Sequence, residues 1–341
     1  MTRESDVMAQ PSTAAVSFRF TGVAGEYFKI WIVNVCLSIV TLGIYSAWAK
    51  VRRKRYFYGN TLLNDAAFEY LADPMAIFKG RMIVLGVLIA VSLLGELLKT
   101  GVFGILYLVA LPYVVIKAAR FNAMNTSYRN VRFKFGMGFP PQTGFSKRYI
   151  PGYNKTSQFL ILPVFLVPLS LGLLYPYYSF RKRQFILEHS AYGTTPFSFD
   201  ARPGAVYLVY WKASLLFLLF LVGSVLTVGI GALPLYILFA AYRDAAIGRL
   251  FWKHTGLGDL RFDCAWSTWE MFKLHFVNSL AIIVTLGLMA PWAAIRAARY
   301  QLQGLSLRPA GALDGFVAAQ QEQVSATGDE AGELLGFNFG L

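Results

Sequence analysis

Charge is what this sequence has least of. Only 15% of its 341 residues are Asp, Glu, Lys or Arg, against about 25% in soluble domains. Acids are the scarcer sign, 18 against 32 bases, for a net charge of +14. With 56% hydrophobic residues, a disordered chain is excluded and a soluble globule is disfavoured. Cysteine is nearly missing: Cys36 and Cys264 alone cannot build a disulfide scaffold or a four-cysteine metal site. The three histidines, His189, His254 and His275, form no cluster at metal spacing with Cys or Asp. No serine elbow, phosphate-binding glycine loop or catalytic carboxylate pair is present. The sequence therefore predicts neither an enzyme nor a cofactor.

What is present is long apolar runs. Ile30–Ala49, Thr156–Phe180, Ala213–Tyr242 and Leu274–Ile295 contain no charged residue, and Met82–Ile116 contains only Glu96 and Lys99. A bilayer span takes about 20 apolar residues. Ala213–Tyr242, with 30 residues, is too long for one span and should fold back near Val228-Gly229-Ile230-Gly231. Met82–Ile116 should fold back near Lys99-Thr100-Gly101. Twenty-eight of the 32 bases fall in segments 49–81, 117–157, 181–212, 243–273 and 296–308. Positive charge in short loops marks the cytoplasmic side, which accounts for the basic balance without nucleic acid. Residues 1–17 read as a disordered N-terminal tail, 18–308 as a transmembrane domain and 309–341 as an acidic disordered tail, both tails cytoplasmic.

The chain also resembles itself. Glu26–Tyr56 laid over Glu270–Tyr300 gives 15 identities in 31 positions, including Asn34/Asn278, Thr41/Thr285, Gly43/Gly287, Arg52/Arg296 and Arg55/Arg299. Weaker copies are anchored on short polar turns starting at Asn60, Asn125, His189, His254 and Gly304. Eight residues before these anchors stand Arg52, Lys117, Arg181, Ala246 and Arg296; five before stand Arg55, Arg120, Gln184, Arg249 and Arg299. An aromatic alternation follows the first four anchors, as in Phe68-Glu69-Tyr70 and Phe133-Lys134-Phe135, and Phe18-Arg19-Phe20 opens the first unit. The expected fold is an α-helical multi-pass membrane protein of about five internal repeats. Each runs strand, membrane helix or hairpin, then basic helix end, with a small cytoplasmic collar of short strands.

The basic positions Arg52, Arg55, Lys117, Arg120, Arg181, Arg249, Arg296 and Arg299 are candidate contacts for anionic lipid or solute. Interfacial anchoring is the simpler account of them. Asn34, Thr41, Asn278 and Thr285 are candidate intramembrane polar positions, as helix–helix glue or as a polar pathway. His189 and His254 stand where the first unit has Asn60, and turn capping explains all three. Basic residues flank the Thr156–Phe180 segment on both sides, Lys147, Arg148 and Lys155 before and Arg181, Lys182 and Arg183 after. This charge pattern suits segments that turn back near Gly43, Gly172 and Gly287 rather than cross once.

The block FTGVAGEYFKIWIVNVCLSIVTLGIYSAWAKVRRKRYFYGNT, with its second copy at Leu274–Tyr300, resembles the signature of YjgN-type bacterial inner-membrane proteins, which carry a domain of unknown function. The resemblance covers most of residues 18–308. It implies a multi-pass protein of the bacterial inner membrane and no activity. The residues themselves favour a transporter or channel-like protein for a small solute, ion or lipid. The alternative is a non-catalytic scaffold that binds anionic lipid. The bilayer, and anionic lipid within it, is the expected partner; no protein partner is indicated.

Overall fold

The structure, a computed structural model, describes residues 15–98, 114–136, 162–229, 231–308 and 316–320. Ten short strands form one closed antiparallel barrel: β1 (Val16–Phe20), β2 (Thr61–Leu63), β3 (Ala66–Tyr70), β4 (Thr126–Tyr128), β5 (Val131–Phe135), β6 (Ser190–Tyr192), β7 (Thr195–Phe199), β8 (Thr255–Leu257), β9 (Leu260–Cys264) and β10 (Leu305–Arg308). A multi-pass helical protein with a small strand collar is thereby corrected. The strands are the closed centre of the fold, and among the described helices only Pro74–Glu96 and Pro203–Leu226 are long and apolar enough to cross a membrane.

Four of the five-residue strands, β1, β3, β7 and β9, lead directly into an outgoing helix, and after β5 the next described element is the helix starting at Leu162. The returning helix ends in a short strand paired with the strand that began the excursion: β1 with β2, β3 with β4, β5 with β6, β7 with β8 and β9 with β10. The helix pairs are Ala24–Val40 with Ser46–Gly59, Pro74–Leu98 with 114–124, Leu162–Leu169 with Tyr175–Glu188, Pro203–Leu226 with Ala232–Lys253, and Thr268–Val284 with Ala290–Gln303. Two-residue turns join consecutive excursions. Asn64-Asp65 and Arg129-Asn130 have positive φ throughout, and Gly193 and Gly258 supply it in the other two, the geometry that follows strand twist. Chain ends close the circle where β1 meets β10, with Val16 opposite Leu307 and Ser17 opposite Ser306. Closure leaves no unpaired strand edge.

Alternation along the strands fills the barrel. Ser17 and Arg19 face out, whereas Val16 and Phe18 pack on the barrel core. The central residue of every long strand is phenylalanine: Phe18, Phe68, Phe133, Phe197 and Phe262. Their rings contact one another around the whole circle, with neighbouring centroids 6.3, 6.5, 6.4, 6.5 and 6.5 Å apart. Leu63, Tyr128, Tyr192, Leu257 and Leu307 from the short strands form a second buried layer. The hydroxyl of Tyr128 donates to Leu63 O, and that of Tyr192 to Tyr128 O. Small barrels are filled by side chains in this way.

At the ends away from the barrel, the helix pairs reverse through left-handed pairs: Leu42-Gly43, Leu171-Gly172, Val228-Gly229 and Leu286-Gly287, with φ of 86 to 95° at the glycines. One hydroxyl staples each reversal. Thr41 donates to Leu37 O and accepts from Tyr45 N. Ser170, Thr227 and Thr285 repeat the pattern. The segments thus turn near Gly43, Gly172 and Gly287 as the flanking charges suggest, and Ala213–Tyr242 reverses at 227–231. The expected turn near Lys99-Thr100-Gly101 lies outside the described residues. The residues at the four tips are apolar and bare: Leu42, Leu171, Val228 and Leu286 are 90 to 95% exposed.

Part of the segment expected to be a loose acidic tail is ordered. Residues 316–320 form a short helical turn on the barrel mouth. Val317 is buried in the barrel core, Phe316 stacks on Tyr192, and Gln320 accepts from Thr194 N and donates to Thr195 Oγ1. Likewise Val16 and Ser17, assigned from sequence to the N-terminal tail, belong to β1. Residues 1–14, 309–315 and 321–341 of the two tails lie outside the described residues.

Candidate functional site

The arginines five residues before the polar turns are clamps between neighbouring excursions. Arg55 donates from Nε to Tyr70 O and from Nη2 to Ala72 O, just beyond β3. Arg249 donates to Trp266 O, beyond β9, and Arg299 donates to Gly22 O, beyond β1. In each case a helix end is tied to the strand exit of the next excursion around the ring. Arg120 is partly buried on helix 114–124, and the residues beyond Gly136 that would match its partner lie outside the described set. Gln184 holds this place on the third excursion and donates to Glu188.

The positions eight before the turns are more varied. Arg296 donates to Asn278 Oδ1 and stands 4.7 Å from the centre of the Trp292 ring. Arg181 donates to Tyr177 OH and Gln184 Oε1. Arg52 and Lys117 are exposed on their helices. The eight candidate cations are therefore spread around the ring rather than gathered into one vestibule. Thr41 and Thr285 each donate to one carbonyl and accept from one backbone N–H at the hairpin turns. The polar turns are capped locally: the amides of Asn60 and Asn125 donate to the carbonyl four residues earlier, and Nδ1 of His189 and of His254 lies 2.8 Å from the equivalent carbonyl. Among the described residues no group of three or more His, Cys, Asp or Glu could hold a metal.

Asn34 and Asn278, equivalent in sequence, differ in surroundings. Both are buried. Asn278 is satisfied within the protein, donating to Ala293 O and accepting from Arg296. Asn34 Oδ1 has no hydrogen-bond partner. Beside it opens a cleft of about 880 Å³, between helices Ala24–Val40, Ser46–Gly59 and Ala290–Gln303 and reached by Arg81 from Pro74–Leu98. Tyr27, Trp31, Ser38, Ser46, Lys50, Arg53 and Arg81 line it with Asn34, and no acid does. Arg81 donates to Ser46 Oγ at 2.5 Å. Just outside, Lys54 donates to Asn122 Oδ1 at 2.6 Å. Burial, reinforced by the Lys50 charge, holds the Lys54 amine below the usual lysine range.

Such a pocket suits an anion: three cationic heads, two hydroxyls and one unsatisfied carboxamide, on apolar and aromatic walls. Sequence reasoning singled out Asn34 but not Lys50, Arg53 or Arg81. A signal was there, because the second copy has alanine at the positions of Lys50 and Arg53, Ala294 and Ala297. A second cleft, of about 780 Å³, lies between helices Tyr175–Glu188, Pro203–Leu226 and Ala232–Lys253. There Arg243 is already paired with Asp244 at 2.8 Å, so the first cleft is the more open to an anionic ligand.

No solved structure matches the chain. Among curated proteins it is similar to inner membrane protein YjgN of Salmonella typhimurium strain LT2, 38% identical over 34% of this chain and 30% of that protein. It is also similar to inner membrane protein YjgN of Escherichia coli strain K12, 35% identical over 38% of this chain and 34% of that protein. The aligned region is thus about a third of the length of these relatives. The model of a family described as bacterial protein of unknown function (DUF898) matches residues 15–234 and 224–334. The chain, matched over nearly its whole described length, belongs to that family.

Proposed function

We propose that the protein is a non-catalytic component of the bacterial inner membrane that dips its helical hairpins into the bilayer and binds anionic lipid at the bases near the barrel. The observation that carries this reading is the set of four bare apolar tips at Leu42, Leu171, Val228 and Leu286. Large exposed apolar surface of this kind is not left to water, and the tips share one end of the excursions, opposite the basic helix ends. The two helices of spanning length and the printed names of the relatives support the same location. Transport along the barrel axis is disfavoured, because the barrel is filled by its packed core of apolar side chains, with Val317 buried among them.

Purified protein offered vesicles of zwitterionic lipid, with and without phosphatidylglycerol, tests the reading. It should insert into both and be retained more strongly by the anionic vesicles, with salt weakening the difference. Equal retention, or flux of a trapped solute through reconstituted protein, would overturn it.

A further inference from the structure

We infer that the cleft beside Asn34 is a specific site for a phosphate group that carries a neighbouring hydroxyl, as in a glycerophosphate or the head group of phosphatidylglycerol. The membrane reading above supplies the lipid as a source; the phosphate chemistry stands without it.

Three observations converge. First, Lys50, Arg53 and Arg81 line one cleft without an acid. Arginine forks and a lysine point charge are the usual partners of phosphate oxygens. Second, Asn34 is 8% exposed, and its Oδ1 lacks a donor. A buried acceptor without a partner is costly, so the site is incomplete as it stands. Asn34 lines the cleft and χ2 is broad in asparagine, so a ligand hydroxyl in the cleft is the donor the carboxamide oxygen lacks. Inorganic phosphate carries its O–H only on the group that the cations hold, whereas a hydroxyl on a neighbouring carbon can donate to Asn34 while the phosphate stays on Lys50, Arg53 and Arg81, which is why a hydroxyl-bearing ligand fits better.

Third, the equivalent place in the fifth excursion has been filled from within. Asn278 is paired by Arg296 and Ala293 O, and Ala294 and Ala297 stand where the cleft has Lys50 and Arg53. The same backbone thus exists in a satisfied version without the cations and an unsatisfied version with them. Interfacial anchoring does not require this difference, since both copies keep arginine at the same two helix-end positions, Arg52/Arg296 and Arg55/Arg299. The aromatic walls, Tyr27 and Trp31, and the apolar Val35 and Ile39 on the side toward the hairpin tip provide a path for the acyl part of a lipid.

The test uses the full-length protein in neutral detergent, titrated calorimetrically with inorganic phosphate, glycerol 3-phosphate and short-chain phosphatidylglycerol. Lys50→Ala with Arg53→Ala copies the fifth excursion. Lys182→Ala with Arg132→Ala removes the same charge from exposed positions elsewhere. The proposal expects both hydroxyl-bearing ligands to bind more tightly than inorganic phosphate. The cleft variant should lose about tenfold or more in affinity, the effect of some 1.4 kcal/mol, while the control variant changes little. Asn34→Leu should erase the preference over inorganic phosphate. Tighter binding of the phospholipid than of glycerol 3-phosphate identifies a lipid source; the reverse identifies a soluble one. Equal affinity of the cleft and control variants overturns the site. If the alanine pair does not melt cooperatively, Lys50→Gln with Arg53→Gln decides by the same criterion. Loss of vesicle retention with these titrations intact would sink the membrane reading alone.

Discussion

At the scale of the residue, a recurring arginine has one function in sequence terms and another in structural terms. Arg55, Arg249 and Arg299 look like interfacial anchors, because basic residues at helix ends of apolar segments usually are. Their guanidinium groups instead bind carbonyls of the adjoining excursion. Arg299→Ala should therefore lower stability by about 1–2 kcal/mol, the worth of a charge-assisted bond at a partly solvated site. Arg52→Ala, on an exposed helix face, should change it by less than about 0.5 kcal/mol. Thermal melts of the two variants compare them directly, and equal melting temperatures would remove the clamp. The recurrence of arginine at this spacing was legible in the sequence. Its partner was not, since a backbone carbonyl 15 or 277 residues away leaves no mark on composition. The cleft cations were hidden for the opposite reason: Lys50 and Arg53 sit in a run of bases that the positive-inside pattern already explains.

At the scale of the element, the hairpin turn is decided by backbone conformation. Gly43 and Gly287 have φ of +90 and +95°, and nothing lies within 4 Å of where a Cβ would stand. Gly43→Ala or Gly287→Ala should thus cost about 1–2 kcal/mol of backbone strain alone, visible as a lower denaturation midpoint with unchanged secondary structure. A neutral effect would mean the reversal is elsewhere. These turns were readable because basic flanks on both sides of an apolar segment demand a return. The strands offer a pH test. Burial, with Tyr128 beside it, raises the Tyr192 phenol above its ordinary value against the pull of Arg129. Phenolate is disfavoured in the folded barrel, so this contribution is complete below about pH 10 and is lost as pH rises beyond it. Stability should fall with pH above 10, and Tyr192→Phe should flatten part of that slope. An unaltered slope would place Tyr192 in contact with water.

At the scale of the whole molecule, the chain is a ring: strands at the centre, helical excursions leaving and returning. Strand alternation and short length were legible from Phe18-Arg19-Phe20 and its equivalents. Closure was not, because it depends on the register between β1 and β10, which stand at opposite ends of the chain and are joined by no turn. The docking of residues 316–320 was hidden for a similar reason, since an acidic, glycine-rich composition masked the few apolar side chains that enter the barrel mouth. Ring closure is the claim on which the excursions, the clamps and the cleft all depend, since Arg299 and Ala290 reach the first excursion only across the β10–β1 seam.

Ser17 and Ser306 are directly opposed across that seam, where Cβ atoms of paired strands lie about 4.5–5.5 Å apart. In a Cys36→Ser background, Ser17→Cys with Ser306→Cys should form an intramolecular disulfide on mild oxidation, detected as a linked peptide by mass spectrometry, while Ser17→Cys alone should form none. Failure of the pair to cross-link in folded protein, or cross-linking only between molecules, would contradict a closed ring.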